Sequence, residues 1–113
     1  MDKTIFQKII EKEIPSDIIF EDELCIVIKD INPQAPIHLL IIPKKPIPKL
    51  ADASKDDLEI LGHLMLIAGS MSRQFNVEDA FNVVINNGEK AGQTVFHLHI
   101  HLLAGNAKLN LPR

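Results

Sequence analysis

Residues 95–103 alternate strictly: Val95, His97, His99, His101 and Leu103 interleave with Phe96, Leu98, Ile100 and Leu102. Successive strand side chains point to opposite faces, so the pattern predicts a strand with one apolar face on the core and a row of three histidines outside. Upstream, Thr4 starts a capping box, and Ile5, Phe6, Ile9 and Ile10 recur on one helical face before Ile14-Pro15, which predicts a short amphipathic helix. Residues 18–20 and 24–28 are β-rich runs separated by Glu21-Asp22-Glu23, the pattern of a hairpin. Residues 38–42 read as a buried central strand, and Pro43, Pro46 and Pro48 mark a rigid exit from it.

Ser54 is placed to cap a long helix over about residues 56–75, with Asp56, Asp57 and Glu59 near its positive end. Its apolar residues fall into two stripes, one of Leu58, Leu61, Met65, Ala68 and Phe75, the other of Ile60, Leu64, Ile67 and Met71. One is expected to pack on the sheet. The other, taken as the Ile60 stripe, is left to meet a second copy, which predicts a homodimer with this helix and the neighbouring strand in its interface. Residues 81–85 read as a further strand that turns at Asn86-Asn87-Gly88. The expected fold class is α+β, an antiparallel sheet with one short N-terminal helix and one long helix.

Composition narrows the picture. A chain of 113 residues with 46% hydrophobic content suits one domain, residues 1–113, with one core. The net charge is −3, and the chain has five Phe but no Trp or Tyr. A basic groove with stacking aromatics is thereby disfavoured, so no nucleic-acid partner is expected. The single cysteine, Cys25, lies in an apolar run and reads as a small core residue in a reducing compartment. The start shows no leader pattern and no stretch is long enough to span a bilayer, so the expected location is cytoplasmic, with no membrane partner.

The histidine row carries the chemistry. Neighbours on one strand face are about 6.6–6.8 Å apart, close enough to act together on one small anion such as a phosphate. Imidazole titrates near 6.5, so neutral and protonated rings could share the site. A neutral ring can attack phosphorus while a protonated neighbour stabilises the oxygens or donates to the leaving group. His99, with a histidine on each side, is the natural nucleophile. The loop Gly88-Glu89-Lys90-Ala91-Gly92-Gln93-Thr94 delivers the chain into the row and can bring backbone amides close to a ligand. Histidines two apart on a strand can also hold a transition metal, so a three-histidine metal centre stays open on spacing alone.

His97-Leu98-His99-Ile100-His101-Leu102-Leu103 resembles the signature of the histidine triad (HIT) family. Further stretches, including Asp30-Ile31-Asn32-Pro33-Gln34-Ala35-Pro36, Ile42-Pro43-Lys44-Lys45, Leu61-Gly62-His63-Leu64-Met65 and Gly92-Gln93-Thr94-Val95, resemble its Hint branch across nearly the whole chain. The resemblance implies a homodimeric hydrolase of nucleoside phosphoramidates or related adenylates that binds purine nucleotides; the chain lacks the Cys-x-x-Cys pattern of the family's structural zinc sites, so no cofactor or metal is expected. By that resemblance His99 forms a nucleotidyl-histidine intermediate, His101 hydrogen-bonds the phosphate, and His97 with His38 orients the catalytic ring. Asp30 would bind the ribose hydroxyls and Ile31 the nucleoside. Asn86, Gly92, Gln93 and Thr94 would contact the phosphate or leaving-group side. His63 is expected to be structural. Leu103-Ala104-Gly105 stands where Leu-Gly-Gly is common, and residues 108–113 lack the aromatic tail of many Hint-like proteins. Two other readings are a dinucleoside polyphosphate hydrolase of the Fhit type and a nucleotide-binding interaction module with incidental catalysis.

Overall fold

The computed structural model describes residues 2–105; the non-aromatic tail at residues 108–113 lies outside them. In chain order the elements are α1 (Ile5–Ile10), β1 (Ile18–Glu21), β2 (Cys25–Lys29), β3 (Ile37–Pro43), α2 (Leu58–Gln74), β4 (Asn82–Val84) and β5 (Ile100–Ala104). The strands form one antiparallel sheet in the order β1-β2-β3-β5-β4. This is the α+β architecture expected from the apolar patterning. No helix among the described residues is long and apolar enough to cross a membrane.

Helix α2 lies over one sheet face and α1 over the other. On the α2 face, Val27, Leu39, Ile41, Ile100 and Leu102 meet Ile60, Leu64, Ile67, Ala68 and Met71. On the α1 face, Phe6 and Ile9 cover Ile26, Ile28, Leu40 and Ile42. The nearly continuous apolar run of β3 follows directly, because the middle strand is buried on both sides.

Four expectations need correction. The Ile60, Leu64, Ile67 and Met71 stripe does not await a partner: all four are buried against the sheet, joined by half-buried Leu61 and Phe75. At 100° per residue the two stripes are adjacent, so together they make one broad sheet-facing band. The apolar side chains that do remain outside on α2 are Leu58, Met65 and Leu66. Helix α1 ends at Ile10, not at Ile14-Pro15, because Lys12 takes a left-handed conformation with φ 62°. Helix α2 begins two residues later than expected, after a 3₁₀ turn, Lys55–Asp57, whose capping box joins Ser54 to Asp57. Strand β4 keeps only three residues, at the sheet edge.

Leu64 is fully buried while Leu66 is 74% exposed, so Leu64→Ala should cost about 2–5 kcal/mol. Leu66→Ala should change the stability of the isolated chain by no more than about 0.5 kcal/mol. Urea unfolding of the two variants checks the assignment, and equal losses would contradict it.

Candidate functional site

The histidine segment is only partly a strand. Ladder pairing runs from Ile37↔Ala104 to Ile41↔Ile100, and the chain before Ile100 leaves the sheet. There Leu98 donates its amide to the Ile47 carbonyl, within the proline-rich exit of β3. The histidines are also not outside: His97 is 1% exposed and His99 6%, with His101 half-buried. Burial is tolerated because most ring nitrogens find partners, and because α1 closes that face. The Phe6 ring meets His99 edge-on at 4.8 Å between centroids. Nothing in the spacing pointed to Phe6, which read only as a core residue of the helix.

Each ring's hydrogen bonds fix its tautomer. The His99 Nδ1–H donates to the His97 carbonyl at 2.8 Å. Its Nε2 therefore carries the lone pair and has no hydrogen-bond partner among the described residues. That is the state a nucleophile requires. The Gln34 amide donates to His38 Nδ1 at 3.0 Å, which leaves the His38 proton on Nε2. His38 Nε2–H then donates to His101 Nδ1 at 2.9 Å, so His101 carries its proton on Nε2. A ring with a lone pair and a ring with an N–H donor thus stand side by side, their centroids 5.0 Å apart.

His97 bears on His99 through its backbone and not through its ring. Its ring donates from Nε2 to the Pro43 carbonyl at 2.7 Å, and its Nδ1 is buried without a partner. It orients His99 through its backbone carbonyl, while its ring ties the segment to the end of β3. The backbone amide of Gln34 and the carbonyl of Pro43 hold these rings, contacts that no side-chain pattern could signal.

Electrostatics also depart from the mixed protonation expected. Burial lowers the pKa of His38, His97 and His99 below the usual imidazole value. It holds His101 down at about 4, with the neighbouring His99 and His38 adding to the effect. All four rings are neutral at pH 7. The site therefore offers an anion N–H dipoles rather than imidazolium charge.

The other candidates lie at the end of β2 and in the segment that follows β4. Asp30 follows β2, with one carboxylate oxygen accepting from the Asn32 amide and the other 3.4 Å from His38 Nε2. Ile31, beside it, is 95% exposed. A cleft of about 180 Å³ opens at this end of the sheet between Asp30, His38, Pro33 and Pro36 and, from the α2 side, Leu39 and Phe75. Asn86 lies beyond the Val84↔His101 pair of β4 and β5, against Gly92. Gly92 has φ +97° and Thr94 is exposed. Gln93 behaves differently, since its side chain is 2% exposed and fully engaged. It accepts from the Gly88 amide and donates to the Pro48 and Val95 carbonyls. In this structure Gln93 shapes the loop rather than presenting its side chain to a ligand. The three triad histidines do not converge as metal ligands; among the described residues Asp30, His38 and His101 do, as do Asp22, Cys25 and His63.

The HIT domain model matches residues 11–108. The chain belongs to the HIT family. An uncharacterized HIT-like protein of Synechocystis is 55% identical over 102 residues, 90% of each chain. A 14 kDa zinc-binding protein of Zea mays is 49% identical over 96% of this chain and 86% of its own length. Among solved structures, a HIT family hydrolase from Legionella pneumophila superposes with a TM-score of 0.93 at 38% identity, covering 98% of this chain and 100% of that one. A histidine triad nucleotide-binding protein from Candida albicans gives 0.81 at 29% identity, covering 98% and 87%. The sheet and helices described above are thus those of the HIT family hydrolases.

Proposed function

We propose that this HIT domain, spanning residues 1–113, hydrolyses nucleoside phosphoramidates or related nucleoside monophosphate conjugates through a nucleotidyl-His99 intermediate. The observation that carries the reading is the pairing of tautomers: His99 with a free Nε2 lone pair beside His101 with an Nε2–H. His99 Nε2 attacks the α-phosphorus and forms the N–P bond as the substrate's P–N bond breaks. The leaving nitrogen departs with its electron pair and takes a proton from solvent, while His101 Nε2–H donates a hydrogen bond to a phosphoryl oxygen. Water then attacks phosphorus and yields a proton to solvent as the N–P bond breaks, returning the lone pair to His99 and releasing the nucleoside monophosphate. N–H dipoles fixed in advance favour charge as it develops on the phosphoryl oxygens.

The purine nucleotide is held at the edge of this centre. Asp30 can accept from two vicinal ribose hydroxyls, and the unpartnered Ile31 side chain supplies an apolar surface for the nucleoside. Gly92 and Thr94 border the phosphate or leaving-group side with Asn86. The name of the Candida albicans neighbour supports nucleotide binding. Exposed Leu58, Met65 and Leu66 on α2, with the short edge strand β4, support a homodimer. The composition supports a cytoplasmic location.

Intact-protein mass spectrometry after rapid quenching with an adenosine phosphoramidate tests the reading. A transient adenylyl adduct on the wild-type chain is expected, with turnover faster than on a diadenosine polyphosphate. Faster diadenosine turnover would favour the Fhit-type activity, and binding of AMP with neither adduct nor product would favour an interaction module.

A further inference from the structure

At the opposite end of β2 from Asp30, about 17 Å away along five strand residues, lies a second group of reactive side chains. Asp22, in the β1–β2 turn, Cys25, which opens β2, and His63, on α2, bring a carboxylate oxygen, a thiol sulfur and an imidazole nitrogen within 4.8 Å of one another. None of them touches the histidine network. We propose that Asp22, Cys25 and His63 form a binding site for a zinc ion that clamps the β1–β2 turn to α2.

The donor set selects the ion. A thiolate, an imidazole and a carboxylate together suit zinc, whereas magnesium and calcium take oxygen ligands alone. The group is also held in place before any ion arrives. One Asp22 oxygen accepts from the amides of Leu24 and Cys25, both at 2.9 Å, and the other accepts from His63 Nε2 at 2.6 Å. Hydrogen bonding to the non-ligating oxygen is the outer support that ligating carboxylates commonly have.

Geometry and access fit as well. Ligand atoms at zinc distances around a tetrahedral ion lie about 3.4–3.6 Å apart. The Asp22–His63 contact therefore opens by roughly one ångström as the ion enters between them. Cys25 is sealed on the α2 face, but the side chains of His63 and Asp22 are 28% and 29% exposed, so an ion and a water as fourth ligand reach the group from that side. On binding, the Cys25 thiol proton and the proton of His63 Nε2 leave to solvent or, for His63, to its Nδ1; the sulfur and Nε2 lone pairs then go to the metal.

The chain has one cysteine, which makes cobalt(II) a specific reporter, since any sulfur-to-cobalt charge-transfer absorption must come from Cys25. The full chain, freed of metal by chelation, is titrated with cobalt(II) and then with zinc. The expected result is a near-ultraviolet thiolate band that zinc displaces, lost in Cys25→Ser, weakened at least tenfold in His63→Ala, and retained in His101→Ala. Zinc should also raise the unfolding temperature of the wild type and not of His63→Ala, a readout that stands if Cys25→Ser fails to fold. Absence of the band overturns the proposal. So does cobalt binding that survives His63→Ala but disappears in His101→Ala, which would place the ion at Asp30, His38 and His101.

Discussion

His99→Ala should lower kcat for an adenosine phosphoramidate by on the order of 10⁴-fold or more, the scale of removing a nucleophile from an active site that works as a unit. A loss of that size corresponds to about 5.5 kcal/mol of transition-state stabilisation. No neighbouring ring can take over the attack. The His101 Nδ1 lone pair is engaged by His38 and its other nitrogen carries the proton, while His97 is 1% exposed, with its ring turned to Pro43. AMP binding should survive, because Asp30 and Ile31 lie at the end of β2 on separate backbone. Rapid-quench kinetics with calorimetric AMP titration checks both halves, with circular dichroism confirming that the variant, which loses a ring packed on Phe6, is folded. A fall in kcat below about tenfold would remove His99 from the nucleophile's place and with it the covalent mechanism.

Part of this site and most of the fold are legible in the sequence. Periodicity reported the central strand, the β1–β2 hairpin and both helices, since burial on one or two faces imposes those periods. It marked the histidines as a group, whereas only the family resemblance singled out Asp30. It misjudged which way the histidines face, because alternation says that a side is polar but not whether a short helix covers it. Phe6 and the carbonyls of His97 and Pro43 decide that question, and their contacts are set by tertiary position. The α2 stripes went astray for a related reason: apolar residues 100° apart look like two faces until the sheet shows that one broad surface takes both. His38 sat in an apolar run where only the family resemblance singled it out, and the structure gives it work by pairing it with His101. Gln93, similarly, carries a family motif, yet three backbone partners claim its side chain.

Burial of these rings should make the fold acid-labile well above the range in which carboxylates titrate. His38, His97, His99 and His101 all have folded-state pKa values below the imidazole value of 6.5. Above that pH both folded and unfolded chains keep them neutral, and their contribution is fully present. As the pH falls below 6.5 the unfolded chain takes up protons that the folded chain refuses, so stability drops, for His101 down to about 4. Each uncompensated ring steepens the dependence by at most about 1.4 kcal/mol per pH unit. Against a usual stability of about 5–15 kcal/mol, several such rings together can unfold the domain within that window. His97 is expected to resist protonation strongly, since a proton on its buried, partnerless Nδ1 would find no acceptor. Carboxylates held low by lysines, such as Glu21 beside Lys12 and Lys44, lose their contribution only at lower pH. Urea unfolding at pH 7.5, 6.5, 5.5 and 5.0 should therefore show a decline that begins near 6.5, made shallower by His101→Gln. A stability that stays flat from pH 7 to 5 would mean that these rings protonate in the folded state as freely as in water, and the neutral tautomers on which the proposed attack depends would have to be abandoned.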